Sequence, residues 1–247
     1  MLSSSSRKAV SYKERKAIAA KRVRRAISLV VFFSLYLFFS NSVSTPLKVV
    51  SSSMEPLLFE GDRILYSRFL VDTQSRVLIK ANSDISRGDL LVISPPYYRK
   101  NQRIIEIINP VIRFFSFQKF QLSSYSRYNW ETDKMVKRVI ALPGDTIRTV
   151  DQKVYLKIPG EKYFSPEEEV LKVKYKVNTI QAPEGWKTGY PLDGSIQEYE
   201  LSDGEYWVLS DNRGSGSDSF FWGPLKEDRI IGKVFFRYWP LSGFSFL

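Results

Sequence analysis

Two short segments of this chain carry residues that could transfer an acyl group. One is the serine-rich stretch VVSSSMEP at residues 49–56, and the other is MVKRVIALPGD at residues 135–145. A serine hydroxyl attacks a carbonyl carbon only when a base takes its proton. A lysine can act as that base if apolar surroundings disfavour its charged form and lower its pKa. Ser53 is therefore a candidate nucleophile, and Lys137 is a candidate general base.

The composition restricts the alternatives. The 247 residues include no histidine and no cysteine. A Ser-His-Asp triad, a cysteine nucleophile, a disulfide, and zinc or haem sites built on these residues are all excluded. Only an all-oxygen Mg²⁺ or Ca²⁺ site stays open. Acyl transfer by a serine and a lysine needs neither a metal nor an organic cofactor.

Each candidate also has a purely structural interpretation. A single lysine in an apolar strand is typical of an edge residue whose amine reaches water, and a single serine in a serine cluster is typical of a surface loop. Strand side chains alternate, so Arg138 is expected on the face opposite Lys137. For each residue taken alone the structural interpretation is the more common one, and only the order of all the motifs, described below, changes that balance.

The first residues of the chain predict an anchor. Residues 1–25 hold nine lysine and arginine residues and one glutamate, and residues 26–40 (AISLVVFFSLYLFFS) carry no charge. Extended to Val43, this run predicts a transmembrane anchor at 26–43, with 1–25 as a basic cytoplasmic segment and the remainder outside. A cleaved signal peptide and a buried core helix are the alternatives. The basic segment then serves topology and anionic lipid rather than nucleic acid.

Residues 44–247 predict one domain that is mostly β. Its apolar runs are short and several are separated by turn residues such as Pro143-Gly144-Asp145. Residues 97–130 are predicted to be an insertion, and within it 101–120 has partly helical spacing broken near Pro110. That segment either packs on the core or rests on the membrane surface. Residues 159–200 are predicted to face solvent, and strands are predicted at 48–51, 63–69, 89–93, 135–142, 146–158, 206–209 and 230–238.

The order of the motifs resembles that of bacterial type I signal peptidases. An apolar anchor precedes Ser53-Met54-x-Pro56, and then come Gly61-Asp62, Arg87-Gly88-Asp89, the lysine segment, and SDNRGSGSDSFFWG at 210–223. The resemblance implies one N-terminal transmembrane helix followed by a signal-peptidase-like antiparallel β-sheet domain. It also implies a serine endopeptidase, without cofactor, on the outer face of the cytoplasmic membrane. Its partners would be preprotein signal peptides, membrane lipid and nearby export machinery, and not nucleic acid.

The resemblance also implies roles for particular residues. Ser53 would be the nucleophile and Lys137 the base of a Ser–Lys dyad, with the Ser53 N–H and the Ser51 hydroxyl forming the oxyanion hole. Further residues would line the dyad or select small substrate side chains (Val49, Val50, Met54, Met135, Val136), and others would support the site (Arg138, Asp211, Arg213, Asp218).

Three positions depart from the family pattern. Leu57 stands where threonine is common. The last box of the family is commonly GDNRxNSxDSR. In this chain Gly216 replaces the serine that orients the lysine, and Phe220 replaces an arginine. We expect Ser215, Ser217 or a water to approach the amine instead, and Asp218 to pair with Arg138. A specialised or inactive relative, a Ser–Lys peptidase with another purpose, and a non-enzymatic membrane-tethered domain that binds exported chains stay open.

Overall fold

The computed structural model describes residues 12–38, 44–68, 70–71, 85–97, 112, 134–150, 153–171, 173–179 and 195–247. Nearly all of the predicted insertion 97–130 lies outside these residues, and within its apolar segment 101–120 only residue 112 is described. Residues 1–11 and 39–43 also lie outside them, which leaves the predicted boundary at 43 a prediction. The predicted boundary at 25 lies within the first helix and also stays a prediction.

The first element is one long helix, α1, Tyr12–Phe38. Its sequence contains neither glycine nor proline, so nothing interrupts the helix between the basic lead and the apolar run. Over the described part of the chain, no helix is both long enough and apolar enough to cross a membrane. The prediction of a transmembrane helix at 26–43 is therefore not supported by the described residues, where basic and apolar stretches form a single helix.

The rest of the described chain is mostly β, as predicted. Two short helices accompany the strands, α2 at Glu167–Val170 and α3 at Ser219–Trp222. The strands are β1 Thr45–Lys48, β2 Arg63–Ser67, β3 Leu90–Ile93, β4 Met135–Ala141, β5 Thr146–Val150, β6 Lys153–Lys157, β7 Ser165–Pro166, β8 Ile196–Glu200, β9 Glu205–Leu209, β10 Leu225–Lys226, β11 Ile230–Trp239 and β12 Ser245–Phe246.

Two antiparallel sheets contain these strands. The larger has the order β1-β2-β11-β3-β4-β9-β10, with β12 also paired to β11, and the smaller has the order β7-β6-β5-β8. Strand β4 has two neighbours that divide its length. Strand β3 pairs with Met135–Arg138, whereas β9 pairs from Arg138 onward. The first half of β4 thus has a strand on one side only among the described residues.

Strand β4 is buried along nearly its whole length instead of alternating. Val136 packs in a cluster with Val49 and Met54, Ile140 packs in a second cluster, and Val139 packs in a third. Both faces of the strand are therefore covered by apolar side chains. A polar residue within it must lose its water, which is the condition that the lysine chemistry requires.

Three details of the predicted β pattern are wrong. Strand β1 ends at Lys48, where the prediction has a strand begin. The run at 146–158 is two paired strands, β5 and β6. The stretch 159–200 is more than a solvent-facing excursion, because β7, α2 and β8 lie within it and join the smaller sheet or pack against it.

Candidate active site

Ser53 lies in a tight turn that leads from β1 towards β2. Ser51 is extended, and Ser52–Met54 forms one 3₁₀ turn in which the Glu55 N–H donates to Ser52 O at 3.1 Å. Met54 is 1 % exposed and anchors the turn in the apolar core, while Ser53 is 7 % exposed. The Ser53 and Ser51 hydroxyl oxygens are 3.1 Å apart. The turn thus fixes two hydroxyl groups side by side near the surface.

Lys137 is held at the other side of the site, in β4. The residue is 1 % exposed, and its Nζ donates to Ser210 Oγ at 2.8 Å. Burial lowers the pKa of Lys137 from 10.5 to about 8, against the negative charges of Asp218 and Asp211, which raise it. At neutral pH a useful fraction of the amine, on the order of a tenth, is therefore unprotonated and able to accept a proton.

The segment 210–213 joins the lysine strand to the serine turn. Ser210 receives the hydrogen bond of Lys137. Two residues later, the Asn212 N–H donates to Ser53 O at 3.0 Å, and its side-chain amide donates to Ser52 O at 3.3 Å. Because one short stretch contacts both candidates, the position of Ser53 relative to Lys137 depends on its backbone.

The same segment is held by two buried ion pairs. Asp211 accepts from Arg138 Nε at 2.7 Å and from Nη2 at 2.6 Å, and Arg213 Nη2 donates to both carboxylate oxygens of Glu167 at 2.9 Å. The Tyr175 ring packs 4.3 Å from the Arg138 guanidinium carbon, and burial raises the pKa of Tyr175. Asp211 and Arg213 therefore fix the backbone on either side of Asn212.

Asp218 does not pair with Arg138, contrary to the prediction. Its carboxylate accepts the Ser210 N–H at 3.0 Å and the Phe220 N–H at 3.1 Å, and it caps the start of α3. Arg138 pairs with Asp211 because β4 and β9 bring Arg138 opposite Leu209, two residues before Asp211. Position 220 has phenylalanine instead of the family's arginine, and the Asp218 carboxylate here accepts from these two backbone N–H groups.

Ser210 supplies the hydroxyl that contacts the lysine amine, and the sequence prediction missed this residue. Of the expected substitutes, Ser215 lies with its Oγ 3.5 Å from Ser52 Oγ. Ser210 contacts the amine, and a Cβ built on Gly216 would lie only 2.0 Å from Ser210 Oγ and 3.0 Å from Lys137 Nζ. The signal was present in the box itself, which has serine at 210 and glycine at 216 where the family pattern has the reverse.

The residues predicted to meet substrate divide into two groups. Val49, Met54 and Val136 belong to one buried cluster, so the structure brings them together. Met135 packs against a different cluster, and Val50 is exposed. Among the described strands, the first half of β4 keeps one side open for an additional strand.

The arrangement is suited to a serine peptidase that works without histidine. A buried amine of lowered pKa can take a proton from a hydroxyl and return it to a leaving group. Within the residues that the structure describes, no group of three or more acidic side chains is arranged to hold a metal ion.

Comparison with known proteins gives the same class. The family described as signal peptidase, peptidase S26, matches residues 22–239. Signal peptidase IB of Staphylococcus aureus is 25% identical over 222 residues, 89% of this chain and 91% of that protein. The probable signal peptidase I-2 of Synechocystis is 26% identical over 195 residues, 78% of this chain and 62% of that protein. A crystal structure of a signal peptidase I from Enterococcus faecalis has a TM-score of 0.30 at 17% identity, covering 61% of this chain and 96% of that one.

The family match spans most of the sequence, including both candidate segments and the box at 210–223. The chain therefore belongs to the signal peptidase family, peptidase S26, and its class is that of the serine peptidases.

Proposed function

We propose that this protein is a membrane-bound endopeptidase that cleaves signal peptides from exported preproteins, with Ser53 as nucleophile and Lys137 as general base. The observation that carries the proposal is the buried Lys137 amine, whose pKa is lowered to about 8 and whose strand is tied to the Ser53 turn through residues 210–212. The names of the similar proteins agree with this substrate class.

The proposed reaction has two stages. Neutral Lys137 Nζ takes the proton of Ser53 Oγ as the oxygen bonds to the scissile carbonyl carbon, and the resulting ammonium gives that proton to the departing amine when the C–N bond breaks. An ester of Ser53 remains. Lys137 then takes a proton from water, whose oxygen attacks the ester, and the proton returns to Ser53 as the signal peptide is released.

The developing oxyanion needs donors on the serine side. We propose the Ser53 N–H and the Ser51 hydroxyl for this role. The first N–H groups of a helical turn have no partner within it, and the Ser51 hydroxyl lies 3.1 Å from the attacking oxygen. Loss of one such donor typically costs about 10²–10³ in rate.

An extended substrate would bind by adding a strand. The backbone of Met135–Val136 has β3 on one side only among the described strands, and β1 ends the larger sheet just before the serine turn. Main-chain hydrogen bonds to such edges give affinity, and alternate side chains enter adjacent pockets. We propose that Val49, Val50, Met54, Met135 and Val136 contact those side chains.

The location that we propose is the outer face of the cytoplasmic membrane, beside the export machinery, with 26–43 as the anchor and 44–247 as the catalytic domain. Support comes from the uncharged run at 26–43 after a basic segment, and from apolar side chains at the end of the larger sheet. Trp239, Leu241, Phe244 and Phe246 are all exposed, Phe246 by 82%. We propose that they rest on lipid.

Arg237 links the segment that carries these side chains to the residues that follow the serine turn. Arg237 donates from Nε to Gly243 O at 2.6 Å and from Nη1 to Leu57 O at 2.7 Å. The backbone that follows Ser53 is thereby tied to the apolar end of the sheet. A scissile bond that emerges at the membrane surface would meet the nucleophile there.

The test is cleavage of a synthetic preprotein by the full-length protein in detergent. Wild-type protein should cut after a small residue, and Ser53→Ala and Lys137→Met should each lower kcat by at least about 10³-fold while remaining folded. Ser202→Ala and Lys153→Met, at exposed positions in other parts of the fold, are the matched controls. Activity that survives in both dyad variants would refute the proposal.

A serine-directed acylating probe separates the peptidase from a binding domain. Mass spectrometry should locate the probe on Ser53 in the wild type, and Lys137→Met should slow labelling in parallel with cleavage. A protein that only binds exported chains has no activated hydroxyl and would stay unlabelled.

A further inference from the structure

We propose that Ser210 is the residue that orients the Lys137 amine, and that residue 216 must be glycine because the Ser210 hydroxyl occupies the space of its side chain. The inference rests on the proposed Ser–Lys function and assigns a positioning residue to that site.

The contact is short and buried. Lys137 Nζ and Ser210 Oγ are 2.8 Å apart, Lys137 is 1 % exposed, and Ser210 is fully buried. A neutral amine has two N–H groups and one lone pair. When one N–H is fixed on Ser210 Oγ, the lone pair can take fewer directions, which is what a base aimed at one hydroxyl requires.

Only one of the two hydroxyls fits beside this amine. A Cβ on Gly216 would lie 2.0 Å from Ser210 Oγ and 3.0 Å from Ser210 Cβ, far inside van der Waals contact. Serine at both positions would require one side chain to leave the pocket. The serine at 210 and the glycine at 216 are therefore one paired feature, which supplies the hydroxyl from the end of β9 rather than from the loop that follows.

Ser210 is itself held rigidly. Its N–H donates to Asp218 Oδ2 at 3.0 Å, and the preceding Leu209 pairs with Arg138, the neighbour of Lys137 in β4. The hydroxyl and the lysine are thus attached to adjacent paired strands, and the distance between them is set by the sheet. Ser210 keeps its own proton throughout the reaction and acts only through Lys137.

The first experiment removes the hydroxyl alone. Ser210→Ala should lower kcat about 10–100-fold with little change in KM, and should slow acylation of Ser53 by the probe to the same extent. The hydroxyl accepts from the ammonium and so stabilises it, and its removal should also move the acidic limb of kcat/KM to lower pH. Ser202→Ala, at an exposed serine outside the 210–223 box, is the control.

The second experiment exchanges the two residues. Gly216→Ser alone should lose activity, because its side chain collides with Ser210 Oγ. The exchange variant Ser210→Gly/Gly216→Ser removes the collision and returns a hydroxyl to the amine, so it should be at least about tenfold faster than Ser210→Gly. A merely structural role for Ser210 would not predict this rescue.

The outcomes separate this inference from the proposed function. Suppose that the wild type cleaves and that cleavage requires Ser53 and Lys137. The positioning role alone is then overturned if Ser210→Ala has the same kcat as the wild type, or if the exchange variant is no faster than Ser210→Gly. Activity that is independent of Ser53 or Lys137 overturns the proposed function instead. If the exchange variant does not fold, the kcat of Ser210→Ala decides.

Discussion

Arg138 and Asp211 form a buried two-point ion pair, with 2.7 Å between Arg138 Nε and Asp211 Oδ1 and 2.6 Å between Nη2 and Oδ2. A third guanidinium nitrogen, Nη1, donates to Gly88 O at 2.8 Å. Both side chains are almost fully removed from water. The pair fixes the residue after Ser210 to the residue after Lys137, so it holds the two segments of the site in register.

Breaking this pair should be costly, because it leaves a buried charge without its partner. Asp211→Asn should lower the free energy of unfolding by about 3–5 kcal/mol, measured by urea denaturation. Glu198→Gln is the comparison, since Glu198 pairs with Arg148 at 3.9 Å and is exposed, and it should cost no more than about 1 kcal/mol. Equal losses in the two variants would contradict a structural role for the buried pair.

Cleavage should depend on pH through Lys137. The amine must be neutral to accept a proton, and its pKa is about 8, so kcat/KM should rise about tenfold per pH unit below that value and level off above it. Initial rates between pH 6 and pH 10 on a substrate without titrating groups would measure the limb. A profile that is flat from pH 6 to pH 9 would exclude Lys137 as the base.

Asp218 should control the position of that limb. Its negative charge is the larger of the two that raise the Lys137 pKa, so Asp218→Asn should lower that pKa and shift the acidic limb to lower pH. The carboxylate also accepts two backbone N–H groups, so thermal unfolding must show that the variant is folded at the assay temperature. A shift of the acidic limb to higher pH would contradict the conclusion that the Asp218 charge raises the Lys137 pKa.

Lys137 should make the protein less stable than an apolar residue at the same place. Its pKa is about 8 in the folded state against 10.5, so the unfolded chain binds more protons between these values and stability rises with pH there. Below pH 8 the full penalty is present, about 3 kcal/mol.

Lys137→Met should therefore be the more stable protein at pH 7, and its advantage should shrink towards pH 10. Urea denaturation at the two pH values measures this difference. Lys153→Met, at an exposed strand position, should show no pH-dependent gain. A Lys137→Met protein that is less stable than the wild type at pH 7 would mean that the amine is not desolvated.

The apolar end of the larger sheet should matter only at a membrane. Replacing Leu241, Phe244 and Phe246 together with serine should slow cleavage of a preprotein inserted in lipid vesicles several-fold, and should leave cleavage of a short soluble peptide unchanged. Tyr163→Ser, at an equally exposed aromatic residue, is the control. Equal slowing on both substrates would indicate damage to the site rather than lost lipid contact.

Much of the fold could be predicted from local patterns. The turns around Gly61, Gly88, Gly144 and Gly204 all have positive φ at glycine, where glycine adopts the conformation at little steric cost. The strands that follow or precede these turns differ from their predicted ranges mainly at the ends. Strand β1 is the exception. Val49 lies after the end of β1, but its side chain is buried in the apolar core, so in the sequence it resembles a strand residue.

The site could be predicted only where one segment carries the signal. Lys137 stands out because the apolar residues around it belong to the same strand. Its bond to Ser210 depends on which strand lies beside β4, and no local period reveals that. The predicted partner of Arg138 is wrong for the same reason. Asp211 and Asp218 are close in the sequence, and the pairing of β4 with β9 decides which of the two carboxylates lies beside Arg138.

Residues 210–213 contact, in turn, the strand of Lys137, the buried arginine beside it, the Ser53 turn, and Glu167 of α2. Helix α2 packs on β6 and β7 of the smaller sheet. The proposed reacting groups are therefore connected to a sheet that supplies none of them. Amide hydrogens of the smaller sheet and of the Ser53 turn should exchange with solvent in a common opening event, and a mutation far from the scissile bond can inactivate the enzyme by making that opening more frequent.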